Sequence, residues 1–237
     1  MLLGSITICA LFVFAKKQYA VADFGNAFGS KAMVARQKLE SLNEGFDLCS
    51  KLCNKKKQFM QSLVFPEVMR YSSLKDDIET ESLHALYVQF GEDYANFSIG
   101  LFQMKPSFAQ QVEQKATLLL SDSFNHELQL PIKAADAAAE REERVNRLRD
   151  TDWQMIYLTA FICICDKIYC DKIFKNETEQ LQWYATVYNA GFDKTNAFIS
   201  KKIEQENFYL SQGMPSKKFK YAAIAAWFYN QQSLYWQ

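Results

Sequence analysis

Apolar residues at intervals of three and four constrain this chain more than any other feature. Between Lys38 and Phe59, the residues Leu39, Leu42, Phe46, Cys49, Leu52 and Cys53 fall on one side of a helix. The pattern returns with Leu63, Val64, Val68 and Met69 between Ser62 and Tyr71, and with Leu83, Leu86 and Tyr87 between Asp76 and Phe90. Between Asp152 and Phe174 it is densest, through Ile156, Tyr157, Ala160, Phe161, Ile164 and Ile168, which predicts deep burial. End signals agree with these stretches. Pro106 suits a first helical turn, Asp150 or Thr151 an N-cap, Asn176 with Glu179 a capping pattern, and Gly191 a helix stop. A last apolar helix covers Tyr221 to Tyr229. Nearly every segment reads as helix, so the expected fold class is mainly α.

No repeat or low-complexity linker divides the 237 residues, a length that suits one large domain with a modest extension. Residues 121–149 are the polar part of the chain. There Glu140-Arg141-Glu142-Glu143-Arg144 sets opposite charges at helical spacing, the pattern of an exposed helix. It reads as a charged helical insertion on the surface, or as a lid over a groove. Lys+Arg and Asp+Glu both number 27, so the net charge is zero and nothing points to nucleic acid.

Met1 to Ala15 is a continuous apolar run, shorter than a bilayer-spanning helix, and Ala20-Val21-Ala22 offers a small-residue cleavage pattern. Residues 1–22 therefore read as a signal peptide or short anchor. Lys16 and Lys17 follow the run rather than precede it, and Ile8 before Cys9 does not suit a lipoprotein site. Of six Cys, five would remain in an exported chain, so not all could pair internally. Cys49 and Cys53 share a helical face, but His84 and His126 carry no ligand spacing, so no metal site is expected. Most of the cysteines read as small buried side chains.

Three short blocks carry the chemistry. Phe65-Pro66-Glu67 places an acid inside the apolar string Leu63 to Met69, a setting that disfavours a carboxylate. The same string also suits an exposed helix glutamate between apolar neighbours. Ser98-Ile99-Gly100-Leu101-Phe102-Gln103-Met104-Lys105-Pro106 combines a glycine, across which a ligand can approach the backbone, with a side-chain amide that both donates and accepts. Tyr188-Asn189-Ala190-Gly191 ends a helix. In this order the blocks resemble those of the soluble lytic transglycosylases (the SLT domain), which have a lysozyme-like fold and cut the glycan strands of bacterial peptidoglycan. The resemblance runs roughly from Ser62 to Tyr229, and only the three blocks are specific.

The resemblance implies a lysozyme-like domain over residues 62–237, with 23–61 as an N-terminal helical extension. It implies Glu67 as the single general acid/base, and Ser98, Gly100, Gln103, Met104, Tyr188 and Asn189 around the sugar, with the Tyr188 hydroxyl turned toward the acid. No cofactor is implied. The partner is the peptidoglycan glycan strand, and the location the periplasm or cell envelope. The family pattern has Ser after the acid, where this chain has Val68. That departure keeps a second reading open, an inactive glycan-binding or envelope-assembly module. A third is a muramidase-type hydrolase, if an acid among Asp76, Asp77, Glu79, Glu81, Glu92 and Asp93 faces Glu67.

Overall fold

Asn54, in the left-handed conformation at φ 48°, breaks the long periodic stretch that the sequence presents as one helix. In the computed structural model, which describes residues 24, 27–71, 73–210 and 217–235, that stretch becomes three helices. They are α1 (27–40), α2 (Asn43–Cys53) and α3 (Lys57–Arg70). Then follow α4 (Ser73–Phe90), α5 (Pro106–Leu119), α6 (Asp122–Glu127), α7 (Ala137–Arg149) and α8 (Thr151–Ile168). The chain continues through α9 (Glu177–Ala190), α10 (Asn196–Ile203) and α11 (Tyr221–Tyr235). The fold is mainly helical, and among the described residues β-pairing is confined to two isolated bridges, Ile99 with Met104 and Phe208 with Phe219. The leader or anchor reading of residues 1–22, Cys9 included, lies outside the described residues.

Short polar side chains start the helices as local chemistry requires. Asp136, Asp150, Asn176 and Thr195 each accept a backbone N–H in the first turn, at 2.8–3.2 Å. Glu179 accepts the Lys175 N–H at 2.6 Å, one residue before the N-cap Asn176 whose N–H the predicted capping pattern would engage. Pro106 opens α5, and Gly191, at φ 95°, closes α9.

α3 is the buried centre. It lies against α2, α9 and α11, and every residue from Phe59 to Met69 is buried. Phe65 stacks on Phe228 of α11 with ring centroids 3.8 Å apart, and Phe59 meets Tyr184 of α9 edge-on. Each such ring contributes roughly 2–3 kcal/mol by leaving water. A helix surrounded on all sides has no polar face, which explains why Gln61, Ser62 and Glu67 are buried with the rest.

Two boundaries expected from sequence need correction. The proposed division at 61/62 falls inside α3, and α2 packs on both α3 and α8, with Phe46 fully buried and 6.0 Å from the Phe102 ring. Residues 43–61 thus belong to the same core as the rest and are no separate extension. Within the charged stretch 121–149, residues 131–143 stay exposed or half-buried, but the end of α7 turns inward. α7 packs on α4, α5 and α8 and buries Val145 and Leu148 completely.

Arg144, 1% exposed, explains how a charged helix can face inward. Its guanidinium donates to both carboxylate oxygens of Glu113 at 2.6–3.0 Å, to Glu140 at 2.5 Å and to the Tyr87 hydroxyl at 3.1 Å. Tyr157 donates to Glu113 at 2.6 Å. One ion cluster therefore joins α4, α5, α7 and α8, with its charges paired as burial demands.

Candidate active site

Burial of α3 decides the chemistry of Glu67. Its side chain is 3% exposed and lies in the last turn of the helix, far from its start. Pro66 sits inside the helix, where it cannot donate to the Ser62 carbonyl, yet the helix runs on to Arg70. Desolvation pushes the Glu67 carboxyl up to about 7, against the pull of Arg70, Lys105 and a hydrogen bond from the Asn189 side chain. The negative end of the α3 dipole acts in the same upward direction. Arg70 Nη2 lies 2.6 Å from Glu67 Oε2, but out of line for a hydrogen bond, so that oxygen is charge-compensated without being saturated.

Glu67 forms part of the wall of a cleft of about 470 Å³. Ser98, Gln103, Met104, Tyr188 and Asn189 line it too, so five of the six sugar-contacting residues expected from sequence come together with the acid. Tyr188 is placed differently from expectation. Its hydroxyl donates to the Phe102 carbonyl at 2.8 Å rather than to Glu67, although it stays close enough to couple electrostatically with the acid. Tyr221, whose hydroxyl donates to the Leu63 carbonyl at 3.3 Å, flanks the acid as well. Burial pushes both phenols well above their ordinary value, so both remain neutral.

Gly100 is the exception. It is buried, and it does not line the cleft. The turn that holds it is closed by Ile99 and Met104, which exchange backbone hydrogen bonds at 2.8 and 3.1 Å. Gly100 has φ 67°, and an added Cβ would stand 1.7 Å from Gln154 Nε2 and 2.7 Å from the Leu148 carbonyl. Its glycine is demanded by the scaffold behind the turn, not by a sugar in front of it. Gln154, fully buried on α8, accepts from the Phe102 N–H at 2.7 Å and donates to the carbonyls of Ile99 and Leu148. Gln103, at φ 50°, folds its amide back onto the Gly100 carbonyl at 2.9 Å while still facing the cleft. Gly100→Ala is expected to lower stability by about 3 kcal/mol, because it strains a left-handed residue and displaces a buried, fully bonded amide. Urea denaturation measures this.

Val68, which follows the acid, is buried in the core. Arg70 is, with Asn189, a cleft residue that touches Glu67. Sequence reasoning missed it, although a cation three residues after the acid on one helix is a legible pairing signal. Gln154 gave no such signal, because Ile99 and Phe102, the partners it holds in the turn, lie 55 and 52 residues away. Lys105, Glu92, Asp193 and Lys194 also line the cleft and make it strongly polar.

No family model, curated protein or solved structure matches this chain. Among the described residues no group of three or more His, Cys, Asp or Glu is placed to hold a metal ion. Their five cysteines are free, with Cys49, Cys53 and Cys165 buried as small core side chains. No described helix is long and apolar enough to cross a membrane.

The raised carboxyl has a consequence for stability. Folded Glu67 keeps its proton up to pH about 7, whereas an unfolded glutamate releases it near 4.5. The protonated acid is thus tolerated at no penalty below pH 4.5, and folding loses that advantage as pH rises through 7. Glu67→Gln carries no such dependence. Its stability relative to wild type is expected to rise between pH 4.5 and 8 by about 3 kcal/mol. Melting curves across that range check it, and a pH-independent difference would place the carboxyl in a wet environment.

Proposed function

We propose that this chain is a peptidoglycan lytic transglycosylase with a lysozyme-like domain and a single catalytic acid, Glu67. The observation that carries the proposal is a carboxyl buried at the wall of a polar cleft and still protonated near neutral pH. Glycosidic cleavage needs such a group, because the leaving oxygen must receive a proton as the bond breaks. Glu67 gives its proton to the O4 of the leaving N-acetylglucosamine while the bond to C1 of N-acetylmuramic acid breaks. The C6 hydroxyl of the same muramic residue then bonds to C1 and returns its proton to Glu67. The product is a 1,6-anhydro end, and the enzyme is restored without water. Arg70 and Asn189 stabilise the carboxylate between the two transfers, and Gln103 and Asn189 offer amides to hydroxyl and N-acetyl groups. Such a substrate lies outside the cytoplasmic membrane, so the proposal includes export to the periplasm or envelope of a bacterium.

One observation favours a second reading. Glu92 and Asp193 line the same cleft as Glu67, and a second carboxylate across from an acid can activate water. Incubation of the purified protein with peptidoglycan sacculi, with chromatography and mass spectrometry of the soluble fragments, separates the readings. Anhydro ends are expected. Reducing ends would make the protein a muramidase-type hydrolase. Tight binding without fragments would make it a glycan-binding module.

A further inference from the structure

We propose that Phe90 and Tyr94 form an aromatic platform that binds a further sugar ring of the glycan strand beyond the cleft. Phe90 is 49% and Tyr94 67% exposed, and their ring centroids lie 5.0 Å apart. Leu86, one turn before Phe90 on α4, is exposed as well and extends the apolar strip. Single exposed hydrophobics are ordinary on a protein surface, but a contiguous aromatic strip at the edge of a cleft is a common ligand contact.

The strip is held rigidly. Arg141 donates to the Val88 and Gln89 carbonyls at 2.8 and 3.2 Å, fixing the end of α4. Gly91 donates to the Tyr87 carbonyl at 2.8 Å, and its own carbonyl accepts from Tyr94 and Ala95. Tyr87 is tied to Arg144, and Ala95 and Phe97 are buried beneath the loop. A platform fixed in this way loses little freedom when a ligand stacks on it.

Continuity selects the occupant. Glu92 lies between the two aromatic residues and Asn96 just after them, and both line the cleft that holds Glu67. Ser107 fixes the Asn96 amide by donating to its Oδ1 at 3.0 Å. A pyranose ring presents an apolar C–H face and a rim of hydroxyls. The aromatic pair suits the face, and Glu92 and Asn96 suit the rim. The strip consists of Leu86, Phe90 and Tyr94, and it is bordered by exposed Glu92 and Asp93, which do not suit the apolar face of a helix.

This inference rests on the glycan reading of the cleft, but it concerns binding rather than bond cleavage. The test titrates N-acetylglucosamine dimer and hexamer into Glu67→Gln protein, with and without Phe90→Ala and Tyr94→Ala together. The paired substitutions should weaken hexamer binding about tenfold, leave dimer binding unchanged, and leave the melting temperature unchanged. Unchanged hexamer binding, an equal loss for the dimer, or a protein with both rings intact that binds the hexamer no tighter than the dimer would each overturn the platform. Length-dependent loss in a protein that releases no anhydro fragments would keep the platform and remove the enzyme. Anhydro release with length-independent binding would do the reverse.

Discussion

Glu67→Gln is expected to slow release of anhydro fragments from sacculi by about a thousandfold while leaving sacculus binding intact. The size follows from what a positioned acid contributes, commonly two to four powers of ten. Glutamine keeps the shape and polarity of the side chain and cannot give up a proton, so binding has no reason to fall. The pH dependence of wild type carries a second signature. Only the protonated carboxyl can start the reaction, and that form declines as pH rises through about 7, so kcat should fall on the alkaline side. Arg70→Met removes the cation 2.6 Å from the acid, which pulls its carboxyl downward. In that variant the alkaline fall should move to higher pH and the plateau should drop, because the carboxylate formed in the first transfer has lost its partner. A sacculus assay run from pH 5 to 9 on the three proteins reads both effects. Glu67→Gln activity within tenfold of wild type would end the role assigned to this residue.

Helices were legible in the sequence wherever one face is apolar and the ends carry caps. The spacing around Ile156 and Phe161 gives α8, although the helix stops at an exposed Ile168 and not at Phe174, and Asn176 and Gly191 bound α9 as expected. Asn54 left only a weak mark, because asparagine enters the left-handed region readily without doing so by rule. α10 escaped notice, being short and mostly exposed. Glu67, Gln103 and Asn189, singled out in the sequence by residue type, line one cleft. Contacts made across the fold were not legible. Nothing near Gly100 announces Gln154, and nothing near Arg144 announces Glu113, so a structural glycine resembled a ligand-facing one. A core ion cluster likewise resembled a solvated surface. Charge at helical spacing shows that pairs can form within a helix; it does not show which side of the helix is buried.

That last distinction gives the second large expected effect. Arg144→Met is expected to destabilise the protein by about 3–5 kcal/mol, because it leaves the Glu113 carboxylate buried without its cation. In a chain of this size the loss corresponds to a fall in melting temperature on the order of 10 °C. Most of that loss comes from the stranded charge rather than from lost attraction. Adding Glu113→Gln to Arg144→Met should therefore recover much of it, although Tyr157 and Tyr87 would still have to find new partners. Lysine is a poor replacement for Arg144, since three carriers on three helices are bridged by one planar fork that an ammonium cannot reproduce. Denaturant unfolding of the single and paired variants measures the cycle. An exposed α7 would lose less than 1 kcal/mol from Arg144→Met and gain nothing from the second change. Because the cluster also holds Tyr87, and through it the end of α4, the single variant should weaken hexamer binding at temperatures well below its melting point.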